Sequence, residues 1–456
     1  MLNRRAFLVS AAAAAASRSR AAAIDYAGSI LARIKPPVFP NRDFDIAKYG
    51  ADGDGKKLST DAISQAIAAC SAAGGGRVVV PKGLFLTGAI HLKSNVNLHI
   101  EKDATLRFSR DPKHYLPVVY TRFEGTECMN YSPFLYAFEQ TNIAITGSGT
   151  LDGQADCEHW WPWKGRTDCG WKLGDASYQK DDQALISMGD RNVPVSQRVF
   201  GEGHYLRPNF IQPYRCRNLL IEDVSIVNSP MWEIHPVLCR NVTVRGVNIN
   251  SHGPNNDGCD PESCADVLID RCIFDTGDDC IAIKSGRNTD GRRVNVPCEN
   301  LIVQDCTMKD GHGGVSIGSE VSGSVRNVFV QRCQMDSPNL QRALRMKSNS
   351  QRGGTMENVF FRDVTIGNVA EAVVEVDFYY EEGPGGPFNP TVRNINIANV
   401  TSKSSKYALY LRGYKDDPIR GITLENCTFD KVAQANRLEN VEGLTARNVT
   451  INGKAL

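Results

Sequence analysis

The stretches Cys216–Ile226, "CRNLLIEDVSI", and Cys239–Ile249, "CRNVTVRGVNI", decide the fold. Each alternates apolar and polar residues, the pattern of a strand buried on one side. Each carries Asn in third place, where a turn uses a side chain able to bond its own backbone. The unit recurs from Cys264, Cys298, Val325, Met356, Val392, Ile419 and Val441, at spacings of 22 to 36 residues. Earlier segments, "NVNLHIEKDATL" and "TNIAITGSGTLDG", fit the same pattern. No unit can bury its apolar face alone, but stacked units share a continuous core. Short strands with variable loops and no intervening helices favour a parallel β-helix over βαβ units or a sandwich.

Outward from the repeats, "STDAISQAIAACSAAGGG" places Ile63, Ile67 and Cys70 on one helical face. Ser59 or Thr60 would cap its start and Gly74 its end. A terminal repeat needs a cover, so this helix is expected to close the N-terminal end of the stack. Cys216, Cys239, Cys264 and Cys298 share one repeat position, and Cys272, Cys306, Cys333 and Cys427 another. Both positions hold Val, Ile or Met elsewhere, so these cysteines read as small interior residues. Cys157 and Cys169 lie in a polar loop and are the better disulfide candidates.

The rhythm breaks at about 155–208. This excursion holds "HWWPWKGRTDCGWKLG" and four of the five tryptophans. A loop of that length is usually functional or disordered, and its tryptophans suit either sugar stacking through their ring faces or packing of the loop on the wall of the stack. The chain of 456 residues is 41% hydrophobic, with 52 basic and 51 acidic residues. That balance points to neither nucleic acid nor a membrane surface. The start, "NRRAFLVSAAAAAA", pairs Arg4 and Arg5 with a short apolar stretch and small residues at Ala21–Ala23. It resembles a twin-arginine export signal over residues 1–23, which implies a periplasmic or secreted protein. One catalytic β-helix is expected over 40–456, with no membrane span.

Inside the repeats, "FDTGDDCIAIKSG" (Phe274–Gly286) sets Asp278 beside Asp279. One coil earlier lies Asp257, one coil later His312, and one further Arg345 and Lys347. Equivalent positions in successive coils stack about 4.8 Å apart. Three carboxylates, an imidazole and two cations are therefore expected to form one vertical cluster. Crowded carboxylates split their proton affinities into acid and base roles. Glycosidic hydrolysis needs that pair, and Arg beside it can hold a sugar carboxylate with two parallel bonds.

"NNDG", "GDDC", "GHG" and "RMK", in this order on a β-helix, resemble the polygalacturonase family, glycoside hydrolase family 28, from about Phe44 to the C-terminus. Asn256 replaces a common threonine and Met346 a common isoleucine. The resemblance implies a right-handed parallel β-helix and an inverting hydrolysis without a metal or other cofactor. It implies Asp278 as general acid, Asp257 and Asp279 positioning and deprotonating water, and His312 tuning the acid. Arg345 and Lys347 would bind the galacturonate carboxylate. The implied partner is an acidic plant polysaccharide, pectin or galacturonan oligosaccharides, with no nucleic acid. The insertion and "SGRNTDGRRVN" (Ser285–Asn295) resemble the exo-acting branch, with Arg287, Arg292 and Arg293 as further uronate ligands and Tyr379 or Tyr380 near substrate. A rhamnogalacturonan hydrolase or an enzyme for substituted galacturonan is the alternative within the family. A Ca²⁺-dependent pectate lyase and a non-catalytic polysaccharide-binding β-helix are the alternatives outside it.

Overall fold

The computed structural model describes residues 26–456; the expected leader at 1–23 lies outside them. The repeats wind into a right-handed parallel β-helix, the hand that parallel crossovers adopt. Leu219 pairs with Val242, Val242 with Val267, Val267 with Leu301, Leu301 with Val328 and Val328 with Val359. These pairs put one apolar residue per coil into a common column, and all six are buried.

The third-place asparagines take the left-handed backbone conformation, with φ of 57° at Asn218, 59° at Asn241 and 57° at Asn358. Their amides also bond one another up the stack. Asn218 Nδ2 donates to Asn142 Oδ1 at 2.8 Å and Asn241 to Asn218 at 2.9 Å. Asn327 donates to Asn300 at 3.1 Å and Asn358 to Asn327 at 3.0 Å. The amide ladder joins coil to coil and pairs polar groups at the corner.

The helix Thr60–Ala72 buries Ile63, Ile67 and Cys70 and covers the first coils. Ser59 stands at its N-cap without a capping side-chain bond; its hydroxyl accepts from the Asp52 N–H instead, at 3.3 Å. A second helix, 26–33, precedes the stretch in which the sequence places the domain. Ala27, Ile30 and Ile34 pack along the outside of the stack against Leu268, Ile302 and Phe329. Twelve cysteines are free and buried, among them the eight at the ladder positions. Cys157 and Cys169 form the disulfide. Among the described residues, no helix is long and apolar enough to cross a membrane.

A separate face carries short strands: Ile281–Ile283, Val315–Ile317, Arg342–Lys347 and Ala372–Asp377. They are in parallel register, and Cys259 joins the first through a bridge to Ile281. The functional side chains project from this face.

Candidate active site

The register decides which residues meet. Cys259 lies opposite Ile281 and Ile281 opposite Val315. Counting back two residues sets Asp257 level with Asp279; counting back three sets Asp278 level with His312. Arg345 is offset, pairing with Ser316, and reaches the acids through its length. Lys347 lies still further along. The expected single column is therefore a rung of acids met obliquely by two long cations.

The loops hold the acids firmly. Asn256, the residue in place of threonine, accepts from the Ser251 hydroxyl at 2.7 Å and the Gly253 N–H at 2.7 Å. Its amide donates to Ser229 O and Met231 O at 3.0 and 3.1 Å. The Asp278 N–H donates to Asn256 O at 3.2 Å, and the Asp279 N–H to Asp278 Oδ1 at 2.9 Å. Gly313 has no substitute: a Cβ there would lie 2.3 Å from Ser316 Oγ and 2.8 Å from Asp279 Oδ1.

Carboxylate oxygens of Asp257, Asp278 and Asp279 lie within 4.8 Å of one another. That spacing alone would suit a divalent cation, but protein cations already surround it. Lys347 Nζ donates to Asp279 Oδ2 at 2.8 Å, Ser316 Oγ to Oδ1 at 2.8 Å, and an Arg345 nitrogen stands 3.5 Å from Oδ1. Burial pushes Asp279 up, yet Lys347 and Arg345 together hold it well below the usual carboxylate range. Burial also pushes Asp278 up; a hydrogen bond from His312 Nδ1 at 2.9 Å outweighs it and keeps the carboxyl on the low side. Asp257, 3% exposed, is pushed well up, first by burial and then by Asp260 and Asp278. Neighbouring carboxyls thus receive different proton affinities, Asp257 high and Asp278 and Asp279 low.

All six expected residues come together except that Asp279 stands just beneath the cleft surface. The cleft measures about 650 Å³ and is lined by Asp257, Asp278, His312, Arg345 and Lys347. Tyr380 joins them, its ring 5.5 Å from the Arg345 guanidinium and 5.2 Å from Lys347 Nζ. Tyr379 instead packs on Tyr414 and Arg412. Of the three arginines of 285–295, only Arg287 lines the cleft. Arg292 lies over the Phe388 ring at 3.7 Å, and Arg293 pairs with Asp290 and Glu127. Those two serve packing rather than uronate binding.

In the insertion, packing on the stack rather than sugar stacking accounts for Trp160, Trp161 and Trp163. Trp160 is buried against Tyr115 and Phe134, and Trp163 packs on Tyr131 and Tyr205. Trp161 donates to Ser229 O at 2.9 Å and lies so close to Gly253 that a Cβ would meet its ring at 2.2 Å. These tryptophans seat the insertion on the stack. What it gives the cleft is Lys164, Arg166, Tyr178 and Asp182. Burial and then Glu124 raise the Asp182 carboxyl to about 7. The cleft's tryptophan is Trp232, from the stack itself.

A glycosyl hydrolases family 28 model matches residues 202–450, more than half of the chain and all of the acid rung. The chain belongs to glycosyl hydrolase family 28. It is a glycoside hydrolase, and its relatives have this fold. A solved hyperthermoactive exopolygalacturonase from Thermotoga maritima superposes with a TM-score of 0.93 at 48% identity, covering 95% of this chain and 97% of that one. A probable polygalacturonase from Vitis vinifera is 27% identical over 425 residues, 88% of this chain and 78% of its own length. An exo-poly-alpha-D-galacturonosidase from Dickeya chrysanthemi is 27% identical over 397 residues, 79% of this chain and 62% of its own.

Sequence reasoning missed Lys284, although it stands in the stretch that revealed the acids. A lysine closing the apolar run "CIAIK" was the available signal, because buried lysine is rare without a partner. Glu124, Asp182 and Glu320 had no comparable signal; only the fold brings them to the cleft.

Proposed function

We propose that this family 28 hydrolase cleaves α-1,4-galacturonosyl bonds of homogalacturonan, working from a chain end and inverting the anomeric centre. The observation that carries this reading is the acid rung set directly against Arg345 and Lys347 in one cleft. A sugar carboxylate fits beside those cations by charge-assisted hydrogen bonds. Asp278 gives its proton to the leaving glycosidic oxygen as the C–O bond breaks. Water held by Asp257 and Asp279 supplies the new C–O bond and loses its proton to a carboxylate. Both Asp279 oxygens already have cationic or hydroxyl partners, which makes it a poor attacking nucleophile and favours attack by water. This holds although the acids lie closer than the about 6.5–9.5 Å usual for inverting pairs.

Chain-end action is supported by the insertion, whose Lys164, Arg166, Tyr178 and Asp182 enter one cleft otherwise built from the stack. The similarity to the Thermotoga maritima exopolygalacturonase points the same way. Export as a periplasmic or secreted enzyme is part of this reading, supported by Arg4, Arg5 and the apolar stretch after them.

A time course of products from polygalacturonic acid, with a chelator present, tests the proposal. Galacturonate monomer alone from the earliest times is the expected result. An oligomer ladder would overturn chain-end action. An unsaturated, ultraviolet-absorbing product would mean elimination rather than hydrolysis. No product from galacturonan but release from a rhamnose-containing pectin would move the substrate.

A further inference from the structure

Behind Asp257 lies a second group of charges that takes no part in the bond-breaking or bond-forming steps. Lys284 is 2% exposed. Its Nζ stands 3.1 Å from Glu320 Oε2, 3.6 Å from Asp260 Oδ2 and 4.0 Å from Asp257 Oδ2, and 4.4 Å from the centre of the Trp232 ring. Neither Asp260 oxygen accepts a hydrogen bond. One ammonium thus serves three buried carboxyls.

We propose that Lys284 is a positioning residue for the hydrolysis: shared among Asp257, Asp260 and Glu320, its ammonium keeps Asp257 able to take the proton of the attacking water, while Asp260 carries the cluster's spare proton.

The charge count leads there. Glu320 is nearest to Lys284, accepts from the Ser319 hydroxyl at 2.7 Å, and feels Arg352, Arg287 and Lys347 as well. It therefore stays ionised. Asp257 and Asp260 remain, both pushed up chiefly by burial. Glu233, fully buried beside Asp260, adds no positive charge and is itself pushed up by burial and then Asp260. On the adjoining coil, His235 pairs with Glu262 and Glu262 with Arg122, which also pairs with Glu127. Asp260 is wholly enclosed, whereas Asp257 lines the cleft, where water can solvate a charge. The negative charge accordingly rests on Asp257 and the proton on Asp260. Asp279, saturated by Lys347, Ser316 and Arg345, orients the water but takes its proton poorly.

This inference rests on the hydrolase reading. The test compares the pH dependence of kcat and kcat/KM for wild type, Lys284→Met and Asp260→Asn, with thermal melting to establish folding. The acidic limb reports a base that must lose its proton. Losing the cation should move that limb up by about one to three pH units, with a lower maximum and little change in KM. Asp260→Asn replaces a protonated, neutral carboxyl with a neutral amide, so it should leave that limb in place; a limb moved down would show an ionised Asp260 and overturn the proposal. A rise in KM alone in Lys284→Met would make Lys284 a substrate ligand and overturn the proposal. So would an acidic limb that stays in place in Lys284→Met while activity falls. Infrared spectra of the free protein near neutral pH give a readout that needs no substrate. The C=O band of protonated carboxyls should lose intensity in Asp260→Asn, and an unchanged band would also overturn the proposal, even if galacturonan proved not to be the substrate.

Discussion

The asparagine corner and the cleft face belong to the same coils and use the same stacking, with opposite results. At the corner, each stacked amide satisfies the next, with bonds of 2.8 to 3.1 Å from Asn142 to Asn358 where Asn follows Asn. At the cleft, stacking sets like charges beside each other, and Lys347, Arg345 and Lys284 are needed to hold them. A parallel coil repeats whatever it is given. Neutral donor–acceptor groups become a ladder that stabilises, and carboxylates become a cluster whose proton affinities are forced apart. Function lies on the face where the repeat is electrostatically costly.

The sharpest way to break that contrast is to remove one acid. Asp278→Asn should lower kcat by about 10²- to 10⁴-fold, while calorimetry still detects oligogalacturonate binding. Retained turnover would return the cleft to a binding role. Next in size is the carboxylate clamp. Arg345→Gln should raise KM for galacturonate oligomers by roughly tenfold or more, the worth of a hydrogen bond to a charged group. It should also narrow the preference for free acid over methyl ester; an unaltered preference would place the uronate elsewhere.

His312 sharpens the electrostatic side. Its N–H stabilises the Asp278 carboxylate and so lowers that group's proton affinity. As general acid, Asp278 must be protonated, so the rate falls as pH rises through its pKa. Removing the donor in His312→Ala should move the alkaline limb to higher pH by about one unit, alongside a lower maximum. A limb moving to lower pH would show that His312 does not act through Asp278. The smallest effect belongs to the corner. Asn358→Ala loses its bond to Asn327 and places alanine at φ of 57°. The cost should be about 1–2 kcal/mol of unfolding free energy in urea, with kcat unchanged.

The repeat made the fold legible, because a period-2 pattern recurring with Asn in third place has few architectures open to it. The site was legible too, since Asp257, Asp278 and His312 each follow the same part of a repeat. Aromatic composition left two uses open: Trp160, Trp161 and Trp163 fill the junction with the stack, and it is charged residues of the insertion that face the cleft. Arg292 and Arg293 misled, because a run of arginines does not show which guanidinium is already paired. The helix at 26–33 escaped notice because its apolar face pairs with outward-pointing Leu268, Ile302 and Phe329, residues that strand alternation assigns to solvent.

The most direct test of the account is the anomeric configuration of the first-formed product, followed by proton NMR during hydrolysis of trigalacturonate. Water attacking opposite the leaving group, with Asp279 held by its three donors, predicts that the β anomer appears first and then mutarotates. Initial release of the α anomer would mean a covalent glycosyl-enzyme and a carboxylate acting as nucleophile, and would contradict the mechanism.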